Sequence, residues 1–214
     1  FQTTQEIESY ATQFGALAPG DIRYVNQLTI DSNGDGIMDE ADGLINADDR
    51  VVVGSNIPRY SFSLDLSARY KGFDVSLFLQ GVAKRDAYYG GSMAWAFYNR
   101  SQLHTWQLDH WSPENPNASY PRLIDGSSHN NFQISDYWKY DASYLRLKTF
   151  QLGYTLPTQW TQKAKIERLR VYCSGNNLLT FDKLPKGFDP EYPMGQTPIY
   201  PITGNYVFGI NLTF

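Results

Sequence analysis

The sequence predicts an all-β fold, in which about five antiparallel strands form the carboxy-terminal segment of a large transmembrane β-barrel with long extracellular loops. Two observations lead to this class. The last ten residues, NYVFGINLTF, alternate large apolar side chains with small or polar ones. The connections between the predicted strands are alternately short and long along the chain, as they are at the two ends of an outer-membrane barrel.

The final strand shows the alternation most clearly. One face carries Tyr206, Phe208, Ile210, Leu212 and Phe214, and the other carries Val207, Gly209, Asn211 and Thr213. A tilted strand of about ten residues spans a bilayer, and a barrel strand needs an apolar outer face. A half-buried strand of a soluble β-sandwich would alternate in the same way. The rest of the chain must therefore decide between the two.

Composition narrows the classes of protein that remain. The 214 residues carry a formal net charge of -4 and a mean hydropathy of -0.45. No apolar run approaches the roughly 18 residues of a membrane-spanning helix, so a membrane role would require strands. The chain has no stripe of Lys and Arg, so we expect no nucleic acid as a partner. Because it begins without methionine or a signal peptide, we expect it to be part of a longer protein.

Catalytic signatures are absent from the sequence. Cys173 is the only cysteine, and His104, His110 and His129 lack metal-binding spacing. Asp189 and Glu191 form a carboxylate pair in a loop rich in Pro and Gly, but their separation in space cannot be obtained from sequence. We therefore expect the chain not to be an enzyme.

Residues 1–59 are predicted to form an extracellular loop region that contains a calcium-like loop. The spacing of oxygen ligands, with Gly36 at the sixth position, is typical of a loop that turns sharply around a hard cation. The candidate ligands are Asp31, Asn33, Asp35, the carbonyl of Ile37, Asp39 and Asp42. Asp48 or Asp49 could close the site instead of Asp42. The alternative is a solvated turn cluster without metal.

Residues 60–214 are predicted to contain the last barrel strands. Strands at 60–70 and 72–82 alternate in polarity and form a tight hairpin through Lys71 and Gly72. A strand over 144–156 keeps its apolar residues on one face only if one residue is bulged near Lys148 and Thr149. A fourth strand covers 166–178, and the terminal strand is the fifth.

The lengths of the connections favour a barrel over a sandwich. The links at 71–72 and 157–165 fall at one end of the strands and are short. The loops at 83–143 and 179–204 fall at the other end and are long. A soluble sandwich has no reason to sort its loops in this way, whereas an outer-membrane barrel has short periplasmic turns and long external loops.

Several motifs, in order along nearly the whole chain, carry a family resemblance. They are PGD (19–21), NGDG (33–36), INADDR (45–50), YKGFDVSLFLQG (70–81), WSPENPNASYPRL (111–123), YLRLKTFQLGYTLP (144–157), LRVYCSGNNLLTF (169–181), KGFDPEYP (186–193) and the final FGINLTF. In these motifs the chain resembles the carboxy-terminal part of SusC/RagA-type TonB-dependent outer-membrane transporters. It departs from the family in its longer calcium-like loop, where IMDEADG precedes LINADDR.

The resemblance implies import of large nutrients, oligosaccharides or peptides, through the outer membrane of a gram-negative bacterium. It also implies outer-membrane lipid around the barrel, a SusD-like surface lipoprotein as a lid, the rest of the barrel with its plug, and the TonB complex reached through a missing amino-terminal part. Five loop aromatics are candidate contacts for substrate or lid: Trp95, Tyr98, Trp106, Trp111 and Trp138. Packing within the loops is the alternative role for them. The alternative function for the chain is a soluble, calcium-stabilised, carbohydrate-binding β-sandwich.

Overall fold

A computed structural model describes residues 1–126, 129–192, 200 and 202–214. The chain folds into two compact units. Unit 1 comprises Phe1–Gly54 and Tyr88–Lys139, and unit 2 comprises Ser55–Ala87 and the described residues from Tyr140 onwards. Most of the long connection predicted at 83–143 therefore belongs to the same unit as the amino-terminal region, rather than to the strands that it joins.

Strands dominate the structure. The strands are β1 (Leu28–Ile30), β2 (Glu40–Ala41), β3 (Tyr60–Tyr70), β4 (Phe73–Ala83), β5 (Asp86–Tyr88), β6 (Lys139–Asp141), β7 (Tyr144–Thr155), β8 (Arg168–Phe181) and β9 (Asn205–Thr213). The helices are α1 (Thr4–Glu8) and α2 (Thr158–Thr161). Short 3-10 turns cover Gly91–Met93, Thr105–Gln107, Asn130–Phe132, Asp136–Trp138 and Gln162–Ala164. Within the described ranges, no helix has the length and apolar character needed to cross a membrane.

The five long strands form one sheet in unit 2, in the order β3-β4-β7-β8-β9, and each pairs antiparallel with its neighbour. The five strands predicted from sequence are thus confirmed. Lys71 and Gly72 join β3 to β4 with φ angles of 45° and 88°. Positive φ at both positions is the requirement of the tight turn that matches the twist of a two-residue hairpin.

The register places most of the large apolar side chains of the five strands on one face, which we call the apolar face; Phe78 and Val207 are exceptions on the opposite face. Residues paired directly across antiparallel strands share a face, and Leu66 pairs with Leu77, which pairs with Phe150. Many of these side chains are exposed: Phe62, Leu64, Leu66, Phe73, Leu152, Phe181, Phe208, Ile210 and Leu212. A soluble sandwich needs a second sheet of similar size over this face, and within the described residues the other sheets have two strands each, β1 with β2 and β5 with β6. The structure therefore argues against the sandwich.

A bulge in β7 maintains this arrangement. Thr149 pairs with Phe78 and Leu147 pairs with Leu79, so Lys148 has no partner on β4. Without the extra residue, Leu147 and Phe150 would lie on opposite faces of the sheet. The bulge predicted near Lys148 and Thr149 is therefore confirmed.

Strand β8 is longer than its sequence indicates. It was predicted to end at residue 178, but it continues to Phe181, with Leu179 opposite Leu147. The register shifts between Asn176 and Leu179, where Asn177 adopts a φ of 53°. Leu179 and Phe181 are an even number of residues from Cys173, so the irregularity leaves them on the apolar face. The Asn pair that resembles a loop start is a second irregularity inside the strand.

An arginine introduced on β4 should change the stability of the protein on one face of the strand and leave it almost unchanged on the other. Leu77 lies on the apolar face near the middle of the strand, and its neighbour Ser76 lies on the opposite face. In the complete protein, Leu77→Arg should lower the free energy of unfolding by about 2–4 kcal/mol, since an arginine would enter lipid. Urea unfolding in phospholipid bilayers measures this loss.

Ser76→Arg is the matched control, since it adds the same side chain one residue away on the face that does not meet lipid. We expect its unfolding midpoint to stay close to that of the parent protein. Equal destabilisation by the two substitutions would contradict the assignment of the apolar face to lipid.

Candidate functional site

The face of the sheet opposite the apolar face, which we call the polar face, is the candidate functional surface. Its hydrophilic side chains follow from the same alternation that built the apolar face. They include Ser63, Asp65, Ser67, Arg69, Asp74, Ser76, Gln80, Arg146, Gln151, Arg168, Arg170 and Asn211. Most of its charged side chains lie in two clusters, one at each end of the strands.

At the end with the short turns, the polar face forms an open groove of about 870 Å³. Arg69, Lys71, Arg168 and Arg170 line it together with a single carboxylate, Asp74. Arg170 donates two hydrogen bonds to that carboxylate. The groove is therefore predominantly basic, although the whole chain carries a net negative charge.

The pair in this groove depends on a glycine. Asp74 lies on β4 and Arg170 on β8, so the guanidinium must cross the intervening strand β7. It crosses at Gly153, where an added Cβ would lie 2.4 Å from Arg170 Nη2. Any larger residue at this position would displace the arginine side chain. Gly153 thus allows an ion pair between strands that are not neighbours.

At the end with the long connections, a second group of charges surrounds Arg146, whose side chain is only 1% exposed. Its Nε donates to Thr180 Oγ1 at 2.8 Å, Nη1 to Glu191 Oε2 at 2.8 Å and Nη2 to Asp189 Oδ2 at 2.6 Å. The guanidinium uses all three of its nitrogens, which is how a buried arginine avoids an uncompensated charge.

Two further side chains of β7 reach the same carboxylate. Lys148 Nζ and the hydroxyl of Tyr144 each donate to Glu191 at 2.7 Å. We call Tyr144, Arg146, Lys148, Asp189 and Glu191 the Arg146 cluster. It joins the loop after β8 to the polar face of β7. The sequence pointed to Asp189 and Glu191 only as a carboxylate pair, and their partners, more than 40 residues away in the chain, were not identified.

The Arg146 cluster favours the ionised form of Glu191. Burial alone would raise the pKa of this carboxyl group. The hydrogen bonds from Lys148 and Tyr144, with the charges of Arg146 and Lys148, outweigh burial and leave the pKa of Glu191 below its ordinary value. The carboxylate therefore stays charged at neutral pH.

Unit 1 is organised around a buried polar network. Asp21, with its side chain fully buried, receives two hydrogen bonds from Arg122, at 3.0 and 2.9 Å. Asn131 Nδ2 donates to Asp21 at 3.0 Å, and Asn130 Nδ2 donates to the carbonyl of Ile22 at 2.7 Å. These bonds join segments about 100 residues apart in the chain.

His129 has a structural role in the same network. Its Nδ1 accepts from the backbone N–H of Asn131 at 3.2 Å. Burial lowers the pKa of the imidazole, although the charge of Asp21 raises it in part. The histidine is therefore a neutral acceptor that caps the turn at Asn130–Phe132.

The five candidate aromatics all lie in unit 1, and two of them are in its core. Trp95 and Trp138 are 4% and 0% exposed. Trp95 stacks on Phe132 with ring centroids 5.1 Å apart, and Trp138 Nε1 donates to the carbonyl of Asn131. Neighbouring side chains cover both rings, so the described conformation leaves little of them for a ligand or a lid.

The other three aromatics are half-buried. Tyr98 meets Trp95 edge to face at 4.9 Å, and Trp106 meets Tyr120 at 5.4 Å. Trp111 donates from Nε1 to Gln2 at 2.9 Å. Each ring rests on the core of unit 1 and keeps part of its surface open.

The calcium-like loop turns as its sequence predicts. Asp31 accepts from the backbone N–H groups of Gly34, Asp35 and Gly36. The bond from Gly36 contributes most to lowering the pKa of Asp31; desolvation opposes it, and the bonds from Gly34 and Asp35 add to it. Asn33 accepts from the N–H of Asp35, and Asp35 accepts from that of Ile37. Asp31, Asn33 and Asp35 therefore lie within one tight turn.

The remaining candidate ligands have other partners. Asp39 accepts from the N–H and the hydroxyl of Ser32, at 2.8 Å each, and Asp42 accepts from Leu44 N–H and Asn46 Nδ2. Asp49 accepts from two backbone N–H groups outside the turn. Among the described residues, His, Cys, Asp and Glu side chains form no group of three that could hold a metal ion by themselves.

Comparisons with known proteins agree with this architecture. No family model matches the sequence. The chain is 31% identical over 227 residues to TonB-dependent receptor P3 of Formosa agariphila, and this alignment covers 97% of this chain and 20% of that protein. It is 28% identical over 198 residues to the TonB-dependent receptor SusC of Bacteroides thetaiotaomicron, covering 89% and 19%. The RagAB peptide importer in its closed-closed state superposes with a TM-score of 0.64 and 27% identity, over 87% of this chain and 20% of that one.

An antiparallel sheet with one face for lipid and one polar face is part of the wall of an outer-membrane β-barrel. The chain belongs to the SusC/RagA-type TonB-dependent transporters, as its motifs predicted, and lies in the outer membrane of a gram-negative bacterium. It spans about a fifth of the length of the relatives that it matches. The polar face is accordingly the lumen wall.

The Arg146 cluster predicts how stability depends on pH. The pKa of Glu191 is lower in the folded chain than in the unfolded chain, where the pKa of a glutamate is about 4.3. Its charge therefore stabilises the fold above that pH, and the contribution is lost as the pH falls through the folded pKa. In urea unfolding of the complete protein between pH 3 and 8, Glu191→Gln should reduce the loss of stability below about pH 5.

Glu8→Gln, at an exposed position of α1, is the control and should keep the slope of the parent protein. If Glu191→Gln has the same dependence on pH as the parent, the ionised carboxylate of Glu191 does not stabilise the fold.

Proposed function

We propose that the complete protein imports large nutrients, oligosaccharides or peptides, across the outer membrane. The observation that carries this proposal is the sheet itself: its apolar face suits lipid and its other face is polar. The chain also superposes on a peptide importer with a TM-score of 0.64. The relatives are named TonB-dependent receptors. This name supports the proposal that the TonB complex supplies the energy for import. The proposal includes no catalytic role.

The proposal also includes partners. An isolated sheet of five strands has two unpaired edges, β3 and β9, and lipid offers no hydrogen bonds to satisfy them. Further strands of the barrel, with a plug inside it, would pair these edges and fill the lumen. A SusD-like surface lipoprotein would act as the lid, in line with the resemblance to SusC and to the RagAB importer.

Unit 1 is proposed as the outer region that meets substrate or lid. Tyr98, Trp106 and Trp111 keep part of their rings open, and aromatic rings suit both sugars and peptide side chains. Trp95 and Trp138 would support these rings from within the core. The name of RagAB includes its substrate, peptides, whereas the name of SusC includes no substrate. Uptake experiments with both classes of compound would decide between glycan and peptide.

We also propose that the calcium-like loop binds Ca²⁺ as a structural ion. The turn gathers Asp31, Asn33 and Asp35, and their oxygen atoms, with the Ile37 carbonyl, are the donors that this cation prefers. Asp39 and Asp42 would complete the shell by exchanging their present partners for the ion. The proposed set combines carboxylate oxygens with one amide and one carbonyl oxygen, a mixture that is usual for Ca²⁺.

Uptake by whole cells tests the transport proposal. Cells that carry the complete protein should accumulate labelled oligosaccharides or labelled peptides, and deletion of TonB should abolish this uptake. A strain without the transporter supplies the background. Uptake that continues at the same rate without TonB, or accumulation of neither class of compound, would refute the proposal.

Calcium binding has a separate readout in stability. At a calcium concentration 10- to 100-fold above the dissociation constant, the ion should add about 1.4–2.7 kcal/mol to the free energy of unfolding of the part that contains the loop. Thermal unfolding with calcium, compared with a chelator, measures this effect. Asp35→Ala should remove it, whereas Asp125→Ala, at an exposed position outside every candidate ligand, should retain it. A stability that does not change with calcium would exclude the site.

A further inference from the structure

The loop after β8 lies against the lumen wall along a defined segment, residues 186–192, which we call the strap. Asp189 and Glu191 of the strap receive the hydrogen bonds from Arg146, and Glu191 also receives those of Lys148 and Tyr144. Arg85 Nη1 donates to the carbonyl of Pro190. The strap is therefore attached through both side chains and backbone.

Packing adds to these polar contacts. Pro190 is fully buried and Tyr192 is 7% exposed. Phe188 stacks on Tyr140 with ring centroids 6.3 Å apart and an interplanar angle of 28°. A segment with this much burial is unlike an exposed loop tip, which makes few contacts and opens at little cost.

The strap also has a preformed shape. The N–H of Glu191 donates to Asp189 Oδ1 at 2.9 Å, and the N–H of Tyr192 donates to the carbonyl of Asp189 at 3.0 Å. This turn directs both carboxylates toward Arg146. Because the strap is ordered by its own hydrogen bonds, less conformational entropy is lost when it docks.

The charges decide whether the strap could open. Opening of the strap would break the ion pairs that Arg146, now 1% exposed, makes with two carboxylates. Buried pairs are screened by solvent and salt much less than exposed ones. The neighbouring pair of Lys183 and Asp141 is different, since these side chains are 78% and 43% exposed. Such surface pairs contribute little and break easily.

We propose that residues 186–192 form a fixed strap, pinned by Arg146 to the lumen wall, which permanently narrows the end of the barrel with the long loops. It does not act as a moving lid. The strap takes up part of the lumen cross-section and covers Arg146 and most of Lys148, whose side chain is 23% exposed. The passage therefore presents little of these cations to its contents. The inference concerns the lumen wall and does not depend on the substrate.

Spin labelling of the complete protein tests whether the strap is fixed. Lys186 is exposed, so Lys186→Cys in a Cys173→Ser background accepts a nitroxide without entering the contacts above. At neutral pH the label should give an immobilised spectrum. Asp189→Asn with Glu191→Gln should convert it to a mainly mobile one, and Arg146→Met should do the same although the strap retains both carboxylates.

Asp141→Asn, which breaks the exposed pair with Lys183, is the matched control and should leave the spectrum immobilised. Heat-modified migration in gels shows that the barrel of each variant is folded, and only folded variants are compared. A mobile label in the parent protein would overturn the proposal. So would an immobilised label in the Asp189→Asn, Glu191→Gln double variant or in Arg146→Met. None of these readouts requires transport, so they stand apart from the uptake experiment.

Discussion

The structure depends on one constraint, the strand register that keeps most of the large apolar side chains on a single face. Lipid offers no hydrogen bonds, so the backbone groups of a spanning strand must pair with neighbouring strands. A slip of one residue would preserve that pairing but would exchange the two faces. The hairpin at Lys71 and Gly72 fixes the register of β3 and β4, and the bulge at Lys148 corrects the register of β7.

Glycines on the sheet faces let large side chains lie flat over neighbouring strands. Gly153 leaves room for Arg170 to reach Asp74, and an added Cβ at Gly209 would lie 2.4 Å from the ring of Tyr172. On the apolar face, an added Cβ at Gly81 would lie 2.5 Å from the ring of Phe62. In each case a residue that weakens a strand on its own allows a longer contact across the sheet. The alternation of small and large residues therefore serves packing along the wall as well as the choice of face.

The sequence predicts what local periodicity determines. It identifies all five long strands, the hairpin and the β7 bulge, because each depends on side-chain alternation within a few residues. The predicted end of β8 was wrong because Asn176 and Asn177 resemble a loop, whereas Asn176 pairs with Thr149 of β7 and pairing resumes at Leu179. The partners of Glu191 could not be predicted, since loop closure over more than 40 residues leaves no local pattern. Aromatic content likewise does not separate the buried Trp95 from the half-buried Trp111.

The two ends of the lumen wall balance charge in different ways. In the groove, Arg69, Lys71, Arg168 and Arg170 share one carboxylate, and the site remains open to solvent. In the Arg146 cluster, two carboxylates from a loop meet Arg146 and Lys148, and burial makes each contact matter more. The strands alone supply a surplus of positive charge at both ends. Because only one end receives carboxylates from a connecting loop, the long loop after β8 sets the electrostatic difference between the two ends of the wall.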